Sequence, residues 1–305
     1  VLAVISACPA MAALEGPGTK QTFIAVRTGA RIRVDGKLDE ADWEKAPPFD
    51  DFVQVFPRES SPPSERTVMR VLYDDDRLYI GFILYDSTPE RITRGLGRRD
   101  RAPSSDFIRV LIDSAHDHRN AYVFQVNASG VQADGLVYDD YKFTDEWDAV
   151  WDVAVADRSD GWSAEFAIPL GLLRFPKAKV QTWGLGVSRR IDRLHEDVLS
   201  VDIPRNVSGQ VSRMGHLTGL VNLEPRGGME FTPYTAIRGL LRPQFSDDDI
   251  PEPRLLDPSA DIGLDLKAAL TSSLALAVTL NPDYGQVEAD QIILNLSNAE
   301  QLFPE

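Results

Sequence analysis

The residues that most restrict the fold of this chain are 162–168, where Trp162, Ala164, Phe166 and Ile168 alternate with Ser163, Glu165 and Ala167. A two-residue period puts one set on each face of a strand. The run "VWDVAVAD" (150–157) is written in the same style, and Arg158, Ser159 and Asp160 between the two make a short hairpin loop. Upstream, "RTVMRVLYD" (66–74), "RLYIGFILYD" (77–86), "DFIRVLID" (106–113) and "AYVFQVNASG" (121–130) are rich in Val, Ile, Tyr and Phe. Their punctuation is Asp-Asp-Asp, Ser-Thr-Pro and His-Asp-His. Many short strands at this spacing predict an all-β chain built as an antiparallel β-sandwich rather than βαβ units. Helix is expected at 39–45, with Asp39 as its cap, and in a shorter piece at 169–173.

The first of these helices lies in "VDGKLDEADWEKA" (34–46), where acidic residues surround Trp43. Helical spacing spreads Glu40, Asp42 and Glu44 around the surface instead of focusing them on one ion, while Trp43 and Ala46 share a face. The segment therefore reads as a lid: Trp43 plugs the end of the sandwich and the acids stay in water. Burying an indole removes roughly 150–250 Å² from water, worth about 4–6 kcal/mol before entropy is counted.

After Glu224 the character changes. Met229, Phe231, Thr235 and Ile237 alternate with Glu230, Thr232, Ala236 and Arg238; then a proline- and aspartate-rich stretch, 242–259, reads as a long connection. Ile262, Leu264, Leu266, Ala268 and Leu270 next oppose Gly263, Asp265, Lys267 and Ala269. Thr271, Ser272 and Ser273 read as a tight turn before Leu274, Leu276, Val278 and Leu280. Strands of roughly nine to eleven residues that are apolar on one side suit a transmembrane β-barrel. A second soluble sandwich is the other reading of the same pattern.

The opening residues read as the tail of a signal peptide. Residues 1–7 are apolar, and Ala10-Met11-Ala12 supplies the small-x-small pattern of a cleavage site. Ile5-Ser6-Ala7-Cys8 also fits a lipoprotein box, and Cys8 is the single cysteine, so acylation there is an alternative anchor. Export is expected either way. A formal charge of −15 argues against a general nucleic-acid partner, since phosphate would be repelled. Glycans, cations and proteins remain as partners.

The ordered set "VDGKLDEADWEKA", "LYIGFILYD", "DFIRVLID", "YVFQVNASG" and "DGWSAEFAIPLGLLRF" resembles the family 9 carbohydrate-binding modules over about residues 21–223. The closing "LNPDYGQVEADQIILNLSNAEQLFPE" resembles a bacterial family of uncharacterised function whose members join such a module to a C-terminal outer-membrane β-barrel. The resemblance implies a signal remnant and linker at 1–20, a sandwich at 21–224 and the first barrel strands at 225–305. With a short periplasmic turn at 271–273 and a long outer loop at 242–259, the sandwich would sit in the periplasm. The family's sugar sites clamp the glycan between two tryptophans. Here the corresponding places, 102–105 and 206–213, hold no aromatic residue, and Arg109 stands where an acid is expected; Asp106 and Asn127 do match.

A substitute platform is offered by "DGLVYDDYKFTDEWDAVW" (134–151), in which Tyr138, Tyr141 and Trp147 would stack on a sugar ring while neighbouring acids bind hydroxyls. The alternative is that Trp147 and Trp151 pack the sandwich edge. Candidate ligand residues are thus Tyr138, Tyr141, Trp147, Asp106, Arg109 and Asn127. The resemblance also implies a structural calcium ion, although no calcium-loop spacing is visible.

The basic run 91–101 reads as a solvated loop or a site for phosphate or acidic polysaccharide. His116 and His118, two residues apart in a connecting turn, lack a third metal ligand nearby in sequence. No nucleophile elbow, phosphate loop or HExxH motif occurs, and no catalysis is expected in this segment beyond an association with glycoside hydrolases. The expected role is glycan recognition linked to polysaccharide processing or transport. The competing role is a structural domain that gates its own barrel.

Overall fold

A computed structural model describes residues 20–101, 103–225, 229–245, 251–269 and 275–281. The chain divides into two compact units between Arg226 and Gly227. The first contains β1 (Thr22–Arg27), α1 (Ala41–Lys45), β2 (Val53–Phe56), β3 (Thr67–Tyr73), β4 (Arg77–Tyr85), β5 (Phe107–Asp113), β6 (Ala121–Asn127) and β7 (Gln132–Tyr138). It continues with β8 (Lys142–Thr144), β9 (Asp152–Arg158), β10 (Gly161–Pro169), β11 (Val180–Ile191), β12 (Glu196–Leu199) and β13 (Gly215–Val221).

The expected sandwich is present. One layer runs β8-β7-β6-β5-β11-β13, with β12 and β2 branching from β11; the other runs β3-β4-β10-β9. Strand β1 joins them. Its first half pairs with β13 and its second half with β3, both parallel, so the sandwich is not wholly antiparallel. The inner faces supply the core: Ile108, Val110, Phe124, Trp183 and Leu185 from one layer meet Ile80, Phe82, Trp162 and Phe166 from the other. Trp151 stacks on Phe166, with centroids 5.6 Å apart.

Trp43 is 1% exposed, yet it does not plug the sandwich end. It packs with Ile32, Ala46, Leu72, Tyr79 and Ala167 on the outer face of the β3-β4-β10 layer, a cluster separate from the main core. Gly81 makes the approach possible: an added Cβ there would lie 3.0 Å from the Trp43 ring. The acids are not all wet either. Asp42 is buried, takes a 2.5 Å hydrogen bond from Thr28 Oγ1 and pairs with Lys45. The helix is a single turn capped at Glu40 without a side-chain bond, so Asp39 is not its cap. At 170–172 the chain forms a 3₁₀ turn.

In the second unit, β14 (Met229–Phe245), β15 (Pro251–Ala269) and β16 (Ala275–Leu280) make an antiparallel sheet. Residues expected to form a long loop at 242–259 are therefore largely strand. Residues 246–250 and the expected turn at 271–273 lie outside the described residues. The strands are also longer than anticipated. One face carries exposed Phe231, Ile237, Ile262, Val278 and Leu280, while Tyr234 crosses Gly263 on the other.

Candidate functional site

Alternation along β5, β6 and β11 turns one set of side chains into the core and the other outward. Ser188, Arg109, Gln125 and Ala133 lie on one outward rung; Arg190, Phe107 and Asn127 lie on the next. Beyond them Gly186 leaves the surface low, and the segment after β12 fills that space, with Val211 and Met214 packed on Leu111, Ala121, Val123 and Val137. Asp140 anchors this cover through bonds from the N–H groups of Gln210 (3.1 Å) and Ser212 (2.8 Å) and from Ser212 Oγ (2.8 Å). Burial pushes the Asp140 pKa up, but these bonds outweigh it and leave the carboxyl below its ordinary value.

The rung of Arg109 stays open. Arg109 is half-buried, its Nε donates to Gln125 Oε1 at 2.8 Å, and its guanidinium carbon lies 5.2 Å from the centroid of Phe107. Neither Nη group has a hydrogen-bond partner among the described residues. Burial pulls its pKa below the arginine norm, offset in part by Asp197. Asp197 is itself held by Arg190 at 2.9 Å. A partly dehydrated guanidinium with a free fork is arranged to take a carboxylate or two adjacent hydroxyls.

The other candidates do not converge on Arg109. Asp106 is fully buried; its Oδ1 accepts the N–H groups of Thr93 (3.3 Å) and Asp192 (3.1 Å), and burial raises its pKa. Near it, Arg189 spans the core to the carbonyls of Arg66 (2.9 Å) and Tyr85 (2.6 Å), and burial lowers its pKa to about 10. Asn127 is also buried and ties the turn at Ser129 and Val131. Trp147 is not an exposed platform: it packs against the core, 5.1 Å from Tyr122 and 5.9 Å from Phe124 between centroids. Tyr138 and Tyr141 are exposed around the β7–β8 turn, and register places Tyr138 on the opposite side of its strand from Val137 and the Arg109 face. Phe143, an aromatic of the same stretch outside the candidate set, is 54% exposed and rests over Gly135, where an added Cβ would lie 2.7 Å from its ring. Phe107 was within reach of sequence reasoning, two residues from Arg109; Gln125 joins only through strand register.

Other charged groups are mostly consumed internally. Within the basic run, Arg94 bonds Ala128 and Asp157, and Arg99 clamps Asp134 and Ala149. Carboxylate oxygens of Asp100, Asp134 and Asp148 lie within 4.8 Å of one another, the arrangement nearest to a calcium site among the described residues. Arg99 already supplies positive charge to Asp134 there, and Asp134 Oδ2 accepts the Ala149 N–H at 2.6 Å. A cleft of about 1050 Å³ on the far side is bordered by Arg31, Arg33, Arg77, Tyr79, Gln132 and Trp151. Its polar groups are largely paired: Arg77 with Asp152 (2.5 Å), Tyr79 with Asp74 (2.9 Å) and Gln132 with the Trp151 carbonyl (3.1 Å). The Arg109 face, with its unpaired guanidinium nitrogens, is therefore the stronger candidate.

Residues 230–305 match a family described as a domain of unknown function, DUF5916. No curated protein matches the chain. Among solved structures, a protein from Bacteroides uniformis provisionally assigned as carbohydrate-binding aligns with a TM-score of 0.52 at 10% identity, over 66% of this chain and 99% of that one. A family 9 carbohydrate-binding module from Caldicellulosiruptor kristjanssonii aligns in complex with cellotriose (TM-score 0.47, 16% identity) and with glucose (0.48, 15%). Each covers 68% of this chain, and 95% and 97% of the respective module chains are matched. The first unit is a β-sandwich, and the chain is similar in fold to the Bacteroides uniformis protein.

Proposed function

We propose that the sandwich is a saccharide-recognition module and that the ligand meets the outward rung of Arg109. The observation that carries this reading is the half-buried guanidinium fixed by Gln125 with both Nη groups free. Phe107 and Phe143 offer apolar ring surface on the same face for a pyranose. The carbohydrate-binding assignment of the Bacteroides uniformis protein, whose fold is similar, supports the same class of ligand.

The test is calorimetric titration of the 305-residue chain with a neutral glucan oligosaccharide and an oligouronate. Loss of a charged hydrogen bond costs about 1.5–3 kcal/mol, so Arg109→Ala should weaken binding roughly 10- to 150-fold, with Arg109→Lys recovering only part. Tyr141→Ala should leave affinity unchanged. Binding that survives Arg109→Ala removes this site. No binding of either sugar favours a structural domain, a reading supported by the cover that Val211 and Met214 make over Leu111, Val123 and Val137.

We further propose that the second unit begins an outer-membrane β-barrel in an exported protein, with the sandwich on the periplasmic side. Support comes from the one-sided apolar face of Phe231, Ile237, Ile262, Val278 and Leu280, which suits lipid rather than water. No helix among the described residues is long and apolar enough to cross a membrane. Fractionation of cells expressing the full chain should place it in the outer membrane with the sandwich shielded from external protease; recovery as a free soluble protein would refute this.

A further inference from the structure

Of the four histidines, three come together although they arise far apart in the chain. His116 and His118 lie in the β5–β6 connection, and His216 lies on β13, one hundred residues from His116. Register explains the meeting. Asp113 on β5 and His216 on β13 are both partners of Gly184 on β11, so the central position of that rung has no side chain. An added Cβ at Gly184 would lie 2.9 Å from Asp113 Cβ. The imidazoles gather beside this gap: His116 Nε2 is 3.1 Å from His216 Nδ1, and the ring centroids of His116 and His118 are 4.4 Å apart.

The connection is held in place rather than loose. Asp113 is buried, and its two carboxylate oxygens accept the N–H groups of Asp117 (3.1 Å) and His118 (2.9 Å). His116 and His118 both adopt positive φ, 53° and 59°, a region that side-chain-bearing residues visit rarely. His118 Nδ1 is buried with no hydrogen-bond partner. His116, His118 and His216 are each partly exposed as residues.

We infer that His116, His118 and His216 form a site for a divalent transition-metal ion of the zinc class, bound through three imidazoles with water in the fourth position. Two nitrogens on one tetrahedral zinc, each about 2.0–2.1 Å from the metal, stand about 3.3 Å apart. His116 Nε2 and His216 Nδ1, which are hydrogen-bonded to each other at 3.1 Å, already stand near that spacing. The His118 ring, its centroid 6.3 Å from that of His216, has to rotate toward the pair to complete the site. Asp113 is not a ligand; it fixes the connection so that two residues of one turn face a third on a neighbouring strand. Nitrogen donors select zinc, copper or nickel over calcium, so the site is separate in chemistry from any carboxylate cluster.

The probe is Zn²⁺ alone, titrated calorimetrically into the metal-stripped 305-residue chain, with Co²⁺ absorption reporting geometry. One equivalent should bind and Co²⁺ should give the strong visible bands of a tetrahedral site. Losing an outer-shell partner already costs about 10- to 100-fold in affinity, so each of His116→Ala, His118→Ala and His216→Ala should weaken binding by about 100-fold or more. His195→Ala should change nothing. His216→Gln, which keeps a polar side chain on the strand, guards against misfolding and should lose zinc while retaining the wild-type circular dichroism. Unchanged affinity in the His118 variant overturns the three-histidine assignment. Stoichiometric binding that survives all three variants, or no binding in the wild type, overturns the site.

Discussion

Glu165 provides a sharp test of how the outer face of the β3-β4-β10 layer is sealed. It lies on the side of β10 that alternation assigns to solvent, yet it is 0% exposed. The segment carrying Asp35 and Gly36 crosses over it, and their N–H groups donate to Glu165 Oε2 at 3.0 and 3.2 Å, while Oε1 has no partner. Burial raises its pKa from 4.5 to about 7; the two N–H bonds oppose the shift, and Glu40 and Asp35 reinforce it. The sign follows from linkage. Below pH 4.5 the folded and unfolded chains both hold the proton and no stability is lost. Between 4.5 and about 7 only the unfolded chain releases it, so stability falls as pH rises, and above about 7 the penalty is complete. At 1.36 kcal/mol per decade of proton affinity, the penalty is about 3 kcal/mol. For a unit of this size that corresponds to roughly 6–12 °C in Tm. Glu165→Gln removes the ionisation and keeps an oxygen for the two N–H groups. Denaturant melts of both proteins from pH 4 to 8 should show the difference in unfolding free energy moving by about 3 kcal/mol in favour of the variant. His116 and His216, whose burial acts in the opposite direction, cancel in that comparison. A difference that stays flat across the range would show that Glu165 is solvated and that the segment over it does not seal the sheet.

Trp43→Ala should cost about 3–5 kcal/mol, because the ring is the bulk of its cluster and the single helical turn has no side-chain cap to hold it otherwise; a loss below 1 kcal/mol by urea melt would contradict that packing. Calcium should matter little at the Asp100, Asp134 and Asp148 group, since Arg99 occupies the charge balance there. Chelation with EGTA is therefore expected to leave Tm unchanged, and a drop of several degrees would identify a bound ion.

The strands were legible because a half-buried sheet writes its period into each run independently, as in Trp162, Ala164, Phe166 and Ile168. What that period cannot give is which apparent solvent face is covered. Ser163, Glu165 and Ala167 alternate as an outer set should, and all three are buried because residues from 32 to 46 lie across them. Asp42 was misplaced for a similar reason: its partner Thr28 is fourteen residues away and belongs to no helical spacing.

Site residues obey the same division. Asp106 and Asn127 stand where the resemblance places them, yet both are buried, with Asp106 Oδ1 and Asn127 Oδ1 bonded to backbone N–H groups, so residue identity at a matched position did not carry over its exposure. Arg109 was noticed as a departure, but its meaning depends on Gln125, which only the β5–β6 register brings opposite it. The histidines show the limit most clearly. His116 and His118 looked insufficient as ligands because nothing nearby in sequence completed them; the completing residue comes through β11, at a glycine whose missing side chain no local pattern marks as important. Chemistry that lies within one strand can be read from its own residues. Chemistry assembled across a rung requires knowing which strands are neighbours, and in this sandwich seven strands separate β5 from β13 along the chain although both flank β11.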